Sequence, residues 1–159
     1  IGSQHQLKPI NISDVLNEVL DYYRARVPHM GKSVVLKGHY DGLKPVKGNK
    51  ELLNWAFENL VKNSLNAIES NQGLITINGE MTKDFEHVLL DFKDNGKGIA
   101  SANQKKIMKP GFTTKKRGWG LGLSLVKRII EDYHGGKVFL LESKLGEGTT
   151  IRVVIPTVR

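Results

Sequence analysis

Apolar residues recur at helical spacing in three stretches of the chain. The first begins near Ser13, a residue type that favours a helix start, and continues until Pro28 intervenes. The second predicts a long helix over residues 50–70, which Asn49 can cap. The third predicts a helix over residues 121–133, closed by two glycines. The pattern therefore indicates three amphipathic helices.

Short runs of alternating and β-branched residues lie between these helices. Six segments are strand-like: 32–39, 44–47, 74–77, 88–92, 137–143 and 149–155. We expect the first two on either side of a turn at Asp41-Gly42, the middle two as neighbours, and the last two joined through residues 146–148. These segments predict at least one sheet built mainly from sequential strands.

The segment 94–118 contains glycines and clustered lysines, and its apolar residues do not recur at a regular spacing. It is predicted to be a long loop with a short helix over 102–108, and loops of this length are usually functional. Helices and strands are mixed along the rest of the chain, with an adjacent strand pair at its end. We therefore predict an α+β fold: a two-layer α/β sandwich with a mixed, mainly antiparallel sheet and helices on one face.

The length of 159 residues suits one compact domain with a real core. The absence of cysteine excludes disulfides and thiolate metal sites. The longest apolar runs are too short to cross a bilayer, so we expect a soluble, cytoplasmic domain. Because the chain does not begin with methionine, we expect it to be part of a longer protein, whose membrane attachment the sequence leaves open.

The net charge of +8 is concentrated in one segment. Between Asp94 and Glu131 there are nine basic residues and no acidic ones, so the rest of the chain holds 15 bases and 16 acids. A basic segment threaded with glycine fits a small polyanion such as a nucleoside triphosphate better than a nucleic-acid duplex. A solvated basic face is the alternative interpretation.

Three asparagines lie in line on the long predicted helix. Asn59, Asn63 and Asn66 form an amide stripe beside the apolar face. An amide oxygen is a suitable ligand for a hard cation such as Mg²⁺. A solvated polar edge is the alternative, because periodicity alone does not identify ligands.

The segment 94–99 (DNGKGI) directly follows a predicted strand. The Asp94 carboxylate can accept a hydrogen bond from an exocyclic amine, and the two glycines allow the backbone to turn sharply and approach a flat ring. Taken alone, the same segment is also typical of an ordinary turn.

The segment 118–123 (GWGLGL) opens the third predicted helix. Glycines there expose N–H groups at the positive end of the helix dipole, which favours an anion site. A dinucleotide-binding fold is excluded because the glycines do not follow a first strand, and no protein-kinase motif follows them. Just before this segment, Lys115 lies in the lysine-rich stretch 111–117, which is suited to close over phosphates. A solvated loop is the alternative interpretation.

Taken in order, these segments resemble the histidine-kinase branch of the ATPase superfamily that also contains DNA gyrase, heat-shock chaperone and mismatch-repair ATPases. Residues 58–67 (ENLVKNSLNA) look like the N box, 94–99 the G1 box, 111–115 (GFTTK) the F box, 118–123 the G2 box and 146–149 (GEGT) the last glycine motif. Five motifs in family order are jointly specific. The resemblance implies a Bergerat-type ATP-binding fold.

The resemblance also implies a site for ATP and Mg²⁺. It implies that Asn63 coordinates the metal and is catalytic together with Lys115, which meets the terminal phosphate. Asp94 would hold the adenine amine, with Thr149 nearby through water. Asn59 stands where hydrolysing relatives carry a glutamate, and an amide cannot act as a base, so transfer to an outside nucleophile is favoured over hydrolysis. The nucleotide-binding residues expected are Asn59, Lys62, Asn63, Asn66, Asp94, Gly96, Gly98, Ile99, Lys115, Gly118, Gly120, Leu121, Gly122, Leu123 and Thr149.

The implied function is that of the kinase part of a two-component sensor. It would pass the γ-phosphoryl group to a histidine on a dimerisation domain of the same parent protein, from which a response regulator would receive it. None of the five histidines is followed by an acidic residue, as the family's acceptor is, so we expect the acceptor outside this chain. Residues 1–7 are expected to be the tail of a dimerisation helix or linker, and 8–159 the catalytic domain, monomeric alone but from a homodimeric parent.

Two departures from the family pattern lie in the N box. Asn66 stands where many histidine kinases carry lysine, so the phosphate contact is expected from Lys62 or Lys115. Ser64 replaces a common alanine. Two rival functions remain open from the sequence: a free-standing serine kinase of the anti-sigma type and a non-catalytic nucleotide-sensing module. A nucleic-acid partner is not expected, because the basic segment has few base-stacking aromatics.

Overall fold

The computed structural model describes residues 6–109 and 122–158. The elements in chain order are β1 (Lys8–Ile10), α1 (Ile12–Arg26), β2 (Val34–His39), β3 (Val46–Gly48), α2 (Lys50–Ala67), β4 (Gly73–Met81), β5 (His87–Asp94), α3 (Ser101–Gln104), α4 (Gly122–Lys127), β6 (Lys137–Lys144) and β7 (Gly148–Pro156). A 3-10 helix, Val27–Met30, follows α1, and a π-helix, Arg128–Tyr133, continues α4. Over these ranges, no helix has both the length and the apolar character needed to cross a bilayer.

The larger sheet has the strand order β2-β4-β5-β7-β6. Strands β2 and β4 pair in parallel, and the other neighbours pair antiparallel. Helices α1, α2 and α4 pack on this sheet, with α1 against β2, α2 against β4 and β5, and α4 against β6. The predicted α+β sandwich with a mixed, mainly antiparallel sheet is confirmed.

The two strands predicted around the Asp41-Gly42 turn do not pair with each other. Strand β2 joins the larger sheet, whereas β3 pairs antiparallel with β1 in a separate two-stranded sheet. The sequence pattern did not predict β1, because a strand of three residues is too short to show an alternating period. The local turn was therefore a poor guide to strand pairing.

Helix α1 begins earlier than predicted. Its cap is Asn11 and not Ser13: the Asn11 side-chain oxygen accepts the Ser13 backbone N–H at 3.1 Å. Helix α2 is capped as predicted, because the Asn49 side-chain oxygen accepts the Leu52 N–H at 2.9 Å. In both helices, a side chain just outside the first turn satisfies a backbone donor that has no partner within the helix.

Helix α2 ends at Ala67, before the predicted end at residue 70. Lys32 stabilises this end from outside the helix, because its Nζ donates to the carbonyl oxygens of Leu65 at 2.6 Å and Ile68 at 2.9 Å. A lysine at a helix C-terminus satisfies free carbonyls and complements the negative end of the dipole. The end of α2 is therefore held in a defined place next to β4.

The apolar face of α2 is anchored on the sheet. The Phe57 ring packs on the Phe92 ring of β5, with centroids 5.6 Å apart, and both side chains are buried. Burial of an aromatic side chain of this size contributes roughly 1.5–3 kcal/mol. On the other side, the Tyr23 hydroxyl of α1 donates to the Glu58 carbonyl at 3.2 Å. These contacts fix the rotation of α2 and leave its amide stripe facing away from the core.

The third predicted helix is not uniform, because it changes from α-helix to π-helix at Arg128. The next residue after the π-helix, His134, is buried. Its Nδ1 lies 2.8 Å from the Ile129 carbonyl oxygen, and its Nε2 accepts the Asn49 N–H at 3.1 Å. A neutral imidazole satisfies both contacts, with Nδ1 donating and Nε2 accepting. His134 therefore ties the end of this helix to the start of α2.

This contact predicts a loss of stability in mild acid. Burial lowers the pKa of His134 below its usual 6.5. Because the unfolded chain takes up this proton first, the free energy of unfolding should be unaffected above about pH 6.5 and fall below it, by at most about 1.4 kcal/mol per pH unit. Urea denaturation between pH 5 and 8 measures this dependence.

His134→Gln should remove this part of the pH dependence, because an amide can still accept the Asn49 N–H but does not titrate in this range. His39→Gln is the matched control, since His39 is exposed on β2 and lies outside the contact between His134 and Asn49. Identical profiles for the parent and His134→Gln would contradict the prediction.

Candidate functional site

A cleft of about 480 Å³ opens beside α2. The described residues that line it are Asn59, Leu60, Lys62, Asn63, Ser64, Asn66, Ala67, Asp94, Lys97, Gly98, Ile99, Ala100, Asn103, Ile107, Gly122, Leu123, Leu145, Thr149 and Ile151. They come from α2, from the segment after β5, from the start of α4 and from the β6–β7 hairpin. The structure therefore brings together segments that are far apart in the sequence.

Asp94 is the last residue of β5 and is buried, with 6% of its surface exposed. Its Oδ1 accepts the Gly96 N–H at 2.8 Å. Burial raises the pKa of Asp94, and hydrogen bonds from Gly96, Ser64 and Thr149 oppose the rise without cancelling it. A carboxyl group held in this way, with acceptor capacity towards the cleft, suits a ligand that donates a hydrogen bond.

Two glycines allow the wall around Asp94 to form. Gly98 has φ of +76°, and a Cβ there would lie 2.2 Å from the Lys144 carbonyl oxygen. Gly148 has φ of +138°, and a Cβ there would lie 2.0 Å from the Asp94 carbonyl oxygen. Both distances are far below van der Waals contact, so each position excludes a side chain. The 94–99 segment and the β6–β7 hairpin are therefore packed backbone against backbone.

Gly96 has a different role from the other predicted glycines. It is buried, and a Cβ there would lie 2.6 Å from the Ala67 carbonyl oxygen at the end of α2. Gly96 is not among the described residues that line the cleft. Its contribution is indirect, because it lets the chain pass close to α2 and its N–H orients the Asp94 carboxyl group.

Two of the three predicted amides face the start of α4. A Cβ on Gly122 would lie 3.8 Å from Asn59 Oδ1 and 3.9 Å from Asn63 Nδ2. The Asn59 amide nitrogen donates to the Trp55 carbonyl at 2.8 Å, which leaves its oxygen towards the cleft. Within the described part of the chain, the Asn63 amide has no hydrogen-bond partner. Both amides are therefore available to a ligand.

The rim of the cleft carries exposed polar side chains. Asn66 and Lys62, two of the residues predicted to bind the nucleotide, lie there on α2, and Lys97 lies there on the 94–99 segment. Lys97 was not predicted, although it stands inside a motif that the sequence singled out. The predicted residues Ile99 and Leu123 also line the cleft.

The inner wall of the cleft is largely apolar. Leu60, Ile107 and Ile151 line it, Leu145 adds an exposed apolar side chain at the rim, and none of the four was predicted. In the sequence they cannot be told from ordinary core residues, because an apolar side chain has the same period whether it packs on protein or on a ligand. Such a wall suits a flat, apolar ring system.

Four of the predicted site residues lie outside the described ranges. They are Lys115, Gly118, Gly120 and Leu121. The F-box segment 111–115 also lies outside them, as do the other residues between 110 and 121. The roles expected for these residues remain predictions.

The described donors in the cleft that face the start of α4 are amide groups, whose oxygens suit a hard cation. Among the described residues, no group of three or more His, Cys, Asp or Glu side chains could hold a metal ion. A metal bound here would depend on amide oxygens and on oxygens of the ligand itself. Proteins commonly bind Mg²⁺ in this way, because the ion usually keeps several waters and takes few protein ligands.

Comparison with known proteins relates this cleft to an ATPase family. The family model described as histidine kinase-, DNA gyrase B-, and HSP90-like ATPase matches residues 48–159. Nitrogen regulation protein NtrY of Azorhizobium caulinodans is 30% identical over 156 residues, which cover 93% of this chain and 20% of NtrY. Sensor histidine kinase ZraS of Salmonella typhi is 30% identical over 152 residues, which cover 96% of this chain and 32% of ZraS. The chain thus spans only a fifth to a third of these relatives.

Solved structures share the fold over nearly the whole chain. The catalytic domain of histidine kinase ThkA is 29% identical, with a TM-score of 0.80 and 96% of each chain covered. A second ThkA structure, in complex with the response regulator protein TrrA, is 26% identical, with a TM-score of 0.79, 97% of this chain covered and 42% of that chain. The family model, the relatives and the structures agree. The chain therefore belongs to the histidine kinase-, DNA gyrase B-, and HSP90-like ATPase family, in its histidine-kinase branch.

Proposed function

We propose that this domain binds ATP with Mg²⁺ and transfers the γ-phosphoryl group to a histidine on a separate dimerisation domain of its parent protein. One observation carries the proposal: the amide stripe of α2, the Asp94 carboxyl group and the start of α4 meet in a single cleft. Such a cleft offers a carboxyl group and an apolar wall to a nucleotide base, and amide and cationic groups to the phosphates.

The base would lie at the Asp94 end of the cleft. The Asp94 carboxylate accepts a hydrogen bond from the 6-amino group of adenine, and Thr149 stands directly opposite Asp94 in the β5–β7 pairing. Apolar side chains such as Ile99 and Leu123 pack on the ring faces. A buried acceptor of this kind discriminates strongly, because a base without the amine leaves the carboxylate unpaired.

The phosphates would lie at the other end, between α2 and the start of α4. Asn63 would hold Mg²⁺ through its amide oxygen, with Asn59 in support, and the bound metal would neutralise charge on the phosphate oxygens. Lys62 supplies a cation at the rim, and Asn66 a neutral hydrogen-bonding group. We propose the same phosphate-binding role for Lys115, Gly118, Gly120, Leu121 and Gly122.

The polar groups of the cleft favour transfer over hydrolysis. Among the described residues that line it, Asp94 is the only carboxylate, and its Oδ1 is occupied by the Gly96 N–H. The amide of Asn59 cannot take a proton from water. Without a base to activate water, the work of the site is to position the γ-phosphoryl group and stabilise its charge for an outside nucleophile.

The partners follow from the same chemistry. None of the histidines has the acidic neighbour of the family's acceptor, so we place the acceptor on a dimerisation domain of the parent protein. ThkA has been solved with a response regulator, which supports an aspartate on such a regulator as the next recipient of the phosphoryl group. This domain would be monomeric alone and cytoplasmic, and its parent homodimeric.

A transfer experiment tests the proposal. The domain is mixed with ATP labelled in its γ-phosphate, Mg²⁺ and a separately produced acceptor domain of the parent protein. Label should appear on the acceptor histidine and not on this domain. Asn63→Ala should slow labelling on the order of 100-fold, because it removes a group that stabilises charge in the transition state.

Asn78→Ala is the matched control, since Asn78 is an exposed asparagine on β4 away from the cleft and should leave the rate unchanged. Robust self-labelling of the domain would contradict the proposal. Binding of ATP without any transfer to the acceptor would indicate a nucleotide-sensing module.

A further inference from the structure

Lys97 lies at the rim of the cleft and has no role in the proposed function. The charged side chains among the described residues that line the cleft are those of Lys62, Asp94 and Lys97. The Lys97 N–H donates to the Ala67 carbonyl at 2.8 Å, and the Lys97 carbonyl accepts the Gly146 N–H at 2.9 Å. The Lys97 backbone therefore bridges the end of α2 and the β6–β7 hairpin, which gives its Cα a defined place.

The two neighbours of Lys97 in the sequence cannot carry side chains. A Cβ on Gly96 would lie 2.6 Å from the Ala67 carbonyl oxygen, and a Cβ on Gly98 would lie 2.2 Å from the Lys144 carbonyl oxygen. At this crossing the chain therefore presents the side chain of Lys97 alone. That side chain is exposed and lines the cleft, and its flexible four-carbon stem lets the ammonium group extend over the opening.

The fold itself does not use the Lys97 ammonium group. A lysine near a helix end often serves the free carbonyls there, but other donors do so at the end of α2. The Ala67 carbonyl accepts the Lys97 backbone N–H, and Lys32 Nζ serves the carbonyls of Leu65 and Ile68. Over residues 6–109 and 122–158, the ammonium group has no hydrogen-bond or ion-pair partner. It is therefore available to an anion in the cleft.

The position of Lys97 along the cleft favours one phosphate. Lys97 is held next to Ala67, the last residue of α2, whereas Lys62 lies five residues earlier, about 7.5 Å along the helix axis. The base is proposed to lie at Asp94, with the phosphates extending towards the start of α4. The α-phosphate is then the anionic group nearest to the base. Lys97 is thus placed for the α-phosphate, and Lys62 for the outer phosphates.

We infer that the Lys97 ammonium group binds the α-phosphate of the nucleotide. The inference rests on the proposed function, which leaves this phosphate without a cation of its own. An ammonium group binds phosphate as a compact point charge with three donors, so the contact needs no metal ion. The domain should therefore bind a nucleoside monophosphate more tightly than the nucleoside, even without Mg²⁺.

The test compares adenosine with its phosphates. Adenosine and AMP are titrated without Mg²⁺, and ATP with Mg²⁺, into the parent and Lys97→Met, and dissociation constants are measured by NMR. We expect Lys97→Met to weaken AMP and ATP by a similar factor of about 10, as for the loss of one hydrogen bond between charged groups. Adenosine should be weakened less than about 2-fold, because it lacks the phosphate. Lys97→Arg keeps the charge and should retain most of the AMP affinity.

Two further variants separate the contact from a general effect of charge. Lys93→Met removes the same charge four residues away, but Lys93 is exposed on the face of β5 opposite to Asp94. It should change AMP affinity less than about 2-fold, because exposed charges at a distance are screened. Asn66→Lys, added to Lys97→Met, should recover most of the AMP affinity. Residue 66 directly precedes the carbonyl that holds the Lys97 backbone, so it returns a cation to the same part of the rim.

Two outcomes would overturn the inference. Equal weakening of adenosine and AMP in Lys97→Met would mean that the substitution acts on the wall of the cleft and not on a phosphate contact. Equal weakening of AMP in Lys93→Met and Lys97→Met would mean that only the net charge matters. If Lys97→Met does not fold, Lys97→Gln serves in its place. Failure of the parent itself to bind ATP would instead overturn the proposed function.

Discussion

Asp94→Asn is expected to weaken ATP binding on the order of 100-fold and to leave the domain at least as stable as the parent. Hydrogen bonds to charged groups contribute roughly 1.5–3 kcal/mol, and the substitution also creates a repulsion. If the asparagine oxygen accepts the Gly96 N–H, the NH₂ group faces the adenine amine. If the amide turns over, its NH₂ group faces the Gly96 N–H instead. In either orientation of the amide, two hydrogen-bond donors face each other.

The expected stability follows from the burial of the same group. Burial raises the pKa of Asp94, so the charged form of this carboxyl group is disfavoured in the folded state relative to the unfolded chain. A neutral amide removes this penalty. The free energy of unfolding at pH 7.5 should therefore be unchanged or higher in Asp94→Asn, which separates loss of function from loss of fold.

Asp91→Asn is the matched control on the same strand. Asp91 lies on the opposite face of the sheet from the cleft and forms a two-point ion pair with Arg152, at 2.8 and 2.9 Å. Because this pair is partly exposed, its loss should cost no more than about 1 kcal/mol and leave ATP affinity unchanged. Calorimetric titration of ATP with Mg²⁺ and urea denaturation of both variants give the two readouts. An Asp94→Asn variant that binds ATP with the affinity of the parent would show that Asp94 does not contact the adenine base.

Local chemistry explains which parts of the fold the sequence predicted. The Asn49 cap was found because a cap and the N–H that it accepts are three residues apart, so the signal lies within one turn. The β6–β7 pair was found because its connection is short. The partner of β3 was missed, since β1 lies 38 residues away along the chain and has only three residues.

The sequence likewise predicted only part of the candidate site. Asn63 and Asp94 were singled out because each stands in a motif with a recognisable pattern. That they meet in one cleft depends on the order of β4, β5 and β7, which a single sequence does not specify. The resemblance to a known family supplied that information. Leu60 and Ile107 were not predicted, because an apolar residue of the cleft wall has the same sequence pattern as a core residue.

A large loss of stability from one added methyl group is expected at Gly98. Its φ of +76° disfavours an alanine by about 1–2 kcal/mol. In addition, the new Cβ would lie 2.2 Å from the Lys144 carbonyl oxygen, a backbone atom that cannot turn aside. The 94–99 segment and the β6–β7 hairpin would have to separate. We expect Gly98→Ala to lower the free energy of unfolding by at least about 3 kcal/mol.

Gly42→Ala isolates the backbone part of this cost. Gly42 has the same φ of +76°, but a Cβ there would meet nothing within 4 Å. Its replacement should cost only about 1–2 kcal/mol, so the difference between the two variants in urea denaturation measures the clash alone. Because the hairpin behind Gly98 also carries Thr149, Gly98→Ala should weaken ATP binding, whereas Gly42→Ala should not. Equal losses of stability in the two variants would mean that the contact between Gly98 and the hairpin is not maintained in solution, and the wall of the cleft would then need another explanation.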